Sequence, residues 1–190
     1  MKKGLKFLLV LVSAAILFSA CSQEDNPVVP DPGNGDPDPI VINTPTHLKI
    51  IKIAISTFPP IKPNGDKWDF NILPGADATR PDIYVKLHQF ASNDILYRSN
   101  TKTNVHTTST YTFTEPHSSN SGSLPYNLAY GSHYVIDLMD NDGLSADDFM
   151  ANLDVEPESL YPKNNETVFF RAYLDTETLT TFTIYGEWIY

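Results

Sequence analysis

The chain has 190 residues, 13 Lys and Arg against 23 Asp and Glu, a formal charge of −10, and one cysteine. Hydrophobic residues make up 41%, enough for one packed core. The acidic balance argues against a nucleic-acid partner, which needs a basic face. A single Cys excludes a disulfide framework and any multi-cysteine zinc site.

Residues 1–20 have the layout of a secretory leader: Lys2, Lys3 and Lys6, an apolar run over 7–18, then Ser19-Ala20. The run is shorter than the roughly 20 residues a bilayer span needs. Cys21 follows directly, and the junction resembles a bacterial lipobox, with Phe18 in place of the usual Leu. That resemblance implies that Cys21 becomes the acylated first residue of an outer-membrane lipoprotein. Ser22-Gln23-Glu24-Asp25 resembles the acidic surface-export tag of Bacteroidetes lipoproteins, which implies display on the cell surface. Loss of the three leader lysines would take the charge from −10 to −13.

Residues 26–47 carry Pro27, Pro30, Pro32, Pro37, Pro39 and Pro45, with Gly33, Gly35 and several Asp. Proline at this density favours extended chain without backbone donors. Residues 21–46 are therefore predicted to be a disordered tether whose function is spacing, with a reach of roughly 60 Å. The folded domain is expected over 47–190.

From Leu48 the pattern becomes alternation. Ile51, Ile53 and Ile55 are predicted to share one face of a strand, and Ile83, Val85 and Leu87 one face of another. Tyr134, Ile136 and Leu138 alternate with Val135, Asp137 and Met139 in a later one. Residues 111–113, 126–130, 168–174 and 181–188 are similarly rich in β-branched and aromatic residues. No stretch of ten residues has a 3.6 period. About eight short strands joined by Gly, Pro, Asn and Ser loops predict an all-β, antiparallel sandwich.

The segment from His133 to Phe149 carries the chemistry. A strand delivers Asp140 and Asp142, and a short loop returns Asp148 to face them. Converging carboxylates repel one another unless a cation sits between them, and hard oxygen ligands in a flexible loop suit calcium better than a transition metal. An EF-hand reading fails. Placing Gly143 at its sixth position puts Leu138 and Phe149 where carboxylates are required.

Asp140-Asn-Asp142, five residues, then Asp148-Phe149-Met150 resembles the third calcium loop of the C2 domain family. Pro81-Asp82-Ile83-Tyr84-Val85-Lys86-Leu87 resembles the family's strand that opens on a calcium-ligating Asp. The resemblance covers about 47–190 and implies an eight-stranded C2-like sandwich with Asp82, Asp140, Asp142 and Asp148 around calcium. A further ligand would come from the long loop over 59–81, from Asp66, Asp69 or Asp77, with Asp69 preferred. Ala151 replaces the Gly that usually follows the second motif, and Ile83 a Pro in the first.

The same loop carries Trp68, Phe70, Ile72 and Leu73. Apolar residues on a loop either contact a partner or fold back to cap the sandwich, and they are assigned here as a contact surface for lipid, glycan or protein. Motifs for metalloprotease, serine-hydrolase, phosphate-loop or dinucleotide chemistry are lacking. The five histidines lack ligand spacing. No enzyme is expected. The reading is a calcium-binding module that contacts membrane, envelope or extracellular material. The alternative is a glycan-binding or structural accessory sandwich of an outer-membrane uptake system.

Overall fold

The computed structural model describes residues 42–69, 80–92, 94–119, 122–143, 146–162 and 164–190. Residues 1–41, and with them the leader and Cys21, lie outside the described residues, as do Phe70, Ile72, Leu73 and Asp77. The chain runs β1 (His47–Thr57), β2 (Ile83–Gln89), β3 (Ile95–Arg98), β4 (Tyr111–Phe113), β5 (Tyr126–Ala129), β6 (Tyr134–Asp140), β7 (Asp148–Val155), α1 (Pro157–Leu160), β8 (Val168–Asp175) and β9 (Thr180–Ile189).

The strands form two antiparallel sheets. One has the order β4-β1-β9-β8 with β5 also on β1, and the other β3-β2-β6-β7. β5 pairs with the first half of β1, at His47 to Ile50, and β4 with the second half, at Ile53 to Ile55. Both lie on the edge of β1 that β9 leaves free, so they fill one strand position in two pieces. Among the described residues nine segments thus make eight positions, as the C2-like reading requires. Ile53, Ile55 and Ile184 of the first sheet join Val85, Leu87, Ile136 and Leu138 of the second in one buried cluster. Burying such side chains stabilises the fold by roughly 1.5–3 kcal/mol each.

The alternation in β2 is seen as expected, with Ile83, Val85 and Leu87 fully buried. In β1 it is not. Ile51 is exposed, while Leu48, Ile50, Ile53 and Ile55 are buried. The register against β9 shifts between Ile50 and Lys52. A bulge adds one residue to the strand, which carries Ile51 outward and restores the inward phase at Ile53. Gly186 of β9 stands opposite Ile50 there. A Cβ on it would sit 2.4 Å from the carbonyl oxygen of Lys49, so only glycine permits this approach.

The domain also begins earlier than expected. Pro45 is buried. The Thr46 N–H donates to the Ile189 carbonyl at 2.6 Å, and the Asn43 N–H to Asn165 Oδ1 at 3.1 Å. The last residues assigned to the tether belong to the sandwich, because Ile189 at the end of β9 and Asn165 accept their backbone N–H groups.

Candidate metal centre

Asp82 immediately precedes β2, Asp140 ends β6 and Asp148 begins β7. Ile83 and Asp148 both stand opposite Asp140, from β2 and from β7, so the two C2-like motifs meet at one end of one sheet. Backbone contacts lock this junction. The Asn141 N–H donates to the Asp82 carbonyl at 2.7 Å, and Ile83 and Lys102 exchange hydrogen bonds of 2.9 and 2.7 Å. Gly143 turns the loop with φ +32 in open space.

Asp140 is fully buried. Its Oδ1 accepts the Asp82 N–H at 2.8 Å, and its Oδ2 has no hydrogen-bond partner among the described residues. A buried carboxylate oxygen without a partner is costly unless a cation or a proton satisfies it. Asp69, Asp140 and Asp142 each place one oxygen within 4.8 Å of the others. Two oxygens bound to one calcium at about 2.4 Å lie no more than about 4.8 Å apart, so the spacing fits a single shared ion.

Protonation responds to the same crowding. Burial is the main reason that Asp140 is pushed up to about 7. The Asp82 N–H and Lys62 oppose this, while Asp69 and Asp142 reinforce it. Burial likewise pushes Asp69 up to about 6, helped by Asp82 and Asp142 and opposed by Lys62.

Of the five residues proposed as ligands, three are gathered: Asp69, Asp140 and Asp142. Asp66 is instead exposed and held in a turn, where Asn64 Nδ2 donates to its Oδ2 at 2.7 Å. Asp82 lies close enough to raise Asp69, but its Oδ1 accepts the Asn104 N–H at 2.6 Å. Asp148 is not in the group: its Oδ2 is ion-paired with Lys62. That pair is the main reason Lys62 holds its proton above the usual lysine range, with Asp142 and Asp140 adding to it. Asp147 is tied elsewhere. The Tyr84 hydroxyl donates to its Oδ2 at 2.6 Å, and the Arg98 guanidinium stacks 4.0 Å from the Tyr84 ring centre.

Trp68 corrects the sequence reading. It is 2% exposed and belongs to the core rather than to a contact surface. The loop can bury it because the Pro59 carbonyl accepts its indole N–H at 2.8 Å, which leaves no polar atom of the ring stranded. It forms part of an apolar cavity of about 550 Å³ that Phe58, Pro60, Met150 and Leu179 also line. Ile61 and Leu179, 48% and 65% exposed, are large apolar side chains of this cavity that stand open to solvent. Neither these two nor Lys62 stood out in the sequence, since single apolar or basic residues in a loop are ordinary.

No family model matches the sequence, and no curated protein does. Among solved structures the chain is similar to the paired C2 domains of Extended-Synaptotagmin 2, at 14% identity over 84% of this chain, TM-score 0.45. A calcium-bound structure of the same domains gives 15% over 76%, TM-score 0.43. Human GIVD cytosolic phospholipase A2 gives 9% over 76% of this chain and 17% of its own, TM-score 0.40. The chain spans about half the length of the two-domain structures, 48% and 47%. The placing of the metal centre therefore rests on this chain's own residues.

Proposed function

We propose that this chain is a cell-envelope lipoprotein displaying a calcium-binding, C2-like module that contacts membrane, envelope or extracellular material. The observation that carries the calcium reading is Asp140, a fully buried carboxylate with one oxygen unpartnered among the described residues, gathered with Asp69 and Asp142. Calcium takes 6–8 oxygens. Three carboxylates leave positions for Asp82, for water and for anionic oxygens of a partner. A phosphate or carboxylate on a surface could complete the shell, while Ile61 and Leu179 supply apolar contact nearby. Acylation at Cys21 would hold the module on the outer membrane, facing outward, with the proline-rich segment as spacer.

The glycan-binding alternative relied on Trp68 as a stacking ring, and its burial removes that support. Among the described residues the most exposed rings are Phe90 after β2, Phe149 in β7 and Phe170 in β8.

Calcium at about 100 times its dissociation constant stabilises the native state by roughly 2.7 kcal/mol. Calcium at that excess should therefore raise the melting temperature by about 5 °C or more. Magnesium should do less, because it demands tighter octahedral geometry. Asp142→Asn should suppress the rise. An unchanged melt, together with no binding heat, would remove calcium from the account. Retention of a Cys21→Ser chain in the membrane fraction would remove the lipid anchor.

A further inference from the structure

We infer that Lys62 is a built-in rival of the metal: its ammonium holds Asp148 when calcium is scarce, and calcium binds by taking Asp148 away from it. The inference rests on the calcium reading above and concerns how that site is regulated. Asp148 stands opposite Asp140 in the β6–β7 register, so its backbone is already at the edge of the cluster. Its carboxylate is nevertheless given to Lys62 and is absent from the gathered oxygens.

Lys62 is held in place from its own side. Its N–H donates to the Asp66 carbonyl at 2.8 Å, and its carbonyl accepts the Gly65 N–H at 2.9 Å. Its Nζ lies 5.9 Å from the centre of the Trp68 ring. One short loop therefore carries both the cation and, seven residues on, the ligand Asp69. An ammonium and a divalent ion beside the same carboxylates repel each other. When Lys62 yields, Asp148 becomes a fourth carboxylate for calcium. The lysine can move into water, since its side chain is already 23% exposed. The exchange raises the calcium concentration at which the site fills, and so sets a threshold for contact.

Calorimetric titration of the full chain with calcium tests this. Removing the competing charge in Lys62→Met should tighten binding about tenfold. Lys62→Gln should do the same and serves if the first variant folds poorly. Lys62→Arg, which keeps the charge, should stay within about twofold of the parent. In an Asp148→Asn background the gain from Lys62→Met should shrink to about threefold or less, because the two residues act as a pair.

Unchanged or weaker binding by both Lys62→Met and Lys62→Gln overturns the inference and leaves the Asp69, Asp140 and Asp142 site standing. A full tenfold gain that persists without Asp148 also overturns it. Absence of calcium binding in parent and variants alike overturns the calcium reading and the inference with it. Binding by the lysine-free variants alone supports the inference in its strongest form.

Discussion

At the end of the sandwich where β1 begins and β9 finishes, Tyr161 and Trp188 pack edge to face at 5.2 Å, with Tyr190 6.3 Å from Tyr161. The Tyr161 hydroxyl donates to the Asn43 carbonyl at 3.3 Å and accepts the Asn165 N–H at 3.1 Å, while the Tyr190 hydroxyl reaches the Glu166 carbonyl at 2.7 Å. The buried Trp188 Nε1 has no partner among the described residues, but it is neutral. At the other end, where β6 turns into β7, the unpartnered buried atom belongs to a carboxylate, and two more carboxylates stand beside it. A stranded neutral donor costs about 1–3 kcal/mol, whereas a stranded charge costs considerably more and is normally retained with a partner. One end therefore closes the fold, and the other leaves a carboxylate oxygen for a proton or a cation to satisfy.

The largest effect expected is on closure, which both tryptophans serve. Trp68→Ala should destabilise the domain by about 3–5 kcal/mol in chemical denaturation, as Trp188→Ala should at the opposite end. A loss below about 1 kcal/mol for Trp68 alone would return that ring to the surface and break the parallel.

Next comes pH, where the ends should part. Asp140 and Asp69 are raised to about 7 and about 6 in the fold, against a usual value near 4 when unfolded. The folded state thus holds more protons than the unfolded state between about pH 4 and 7, so metal-free stability falls as pH rises through that window. For the buried Asp140 the loss is on the order of 2–4 kcal/mol. Calcium should flatten the decline, because it binds the ionised form. Melts at about pH 5 and pH 8, with and without calcium, measure this. Stability that instead rises across that interval in metal-free protein would contradict the geometry.

Asp140→Asn sharpens the contrast. Without metal at about pH 8 it should stabilise the domain by about 1–3 kcal/mol, since the buried charge goes and the amide oxygen can still accept the Asp82 N–H. The same variant should lose the response to calcium. The smallest effect is expected at Leu179, which has φ +57 in the β8–β9 turn. Leu179→Gly should relieve that backbone and stabilise by up to about 1 kcal/mol, offset by any apolar contact it gives up. Thermal unfolding resolves both.

The carboxylate-lined end was only partly legible in the sequence. Asp140 and Asp142 were legible from spacing, because two residues apart at a strand end share a side. The faces of β2 were legible for the same reason. Ile51 was not, since its outward turn depends on a bulge set by Gly186, far away along the chain. β3 and β7 passed unnoticed. β3 is four residues long, and β7 mixes Asp148, Asn152 and Asp154 with its apolar residues. Trp68 was misread because the carbonyl that satisfies its ring belongs to Pro59, a partner that only the folded loop supplies. Lys62 carried no signal at all, for its meaning lies in its closeness to Asp148.

A crystal of the domain grown with several millimolar calcium tests the central claim most directly. One strong peak is expected within about 2.3–2.6 Å of carboxylate oxygens from Asp69, Asp140 and Asp142. Asp148 should have turned from Lys62 toward the ion. A site holding water but no ion, with the Lys62–Asp148 pair intact, would contradict it.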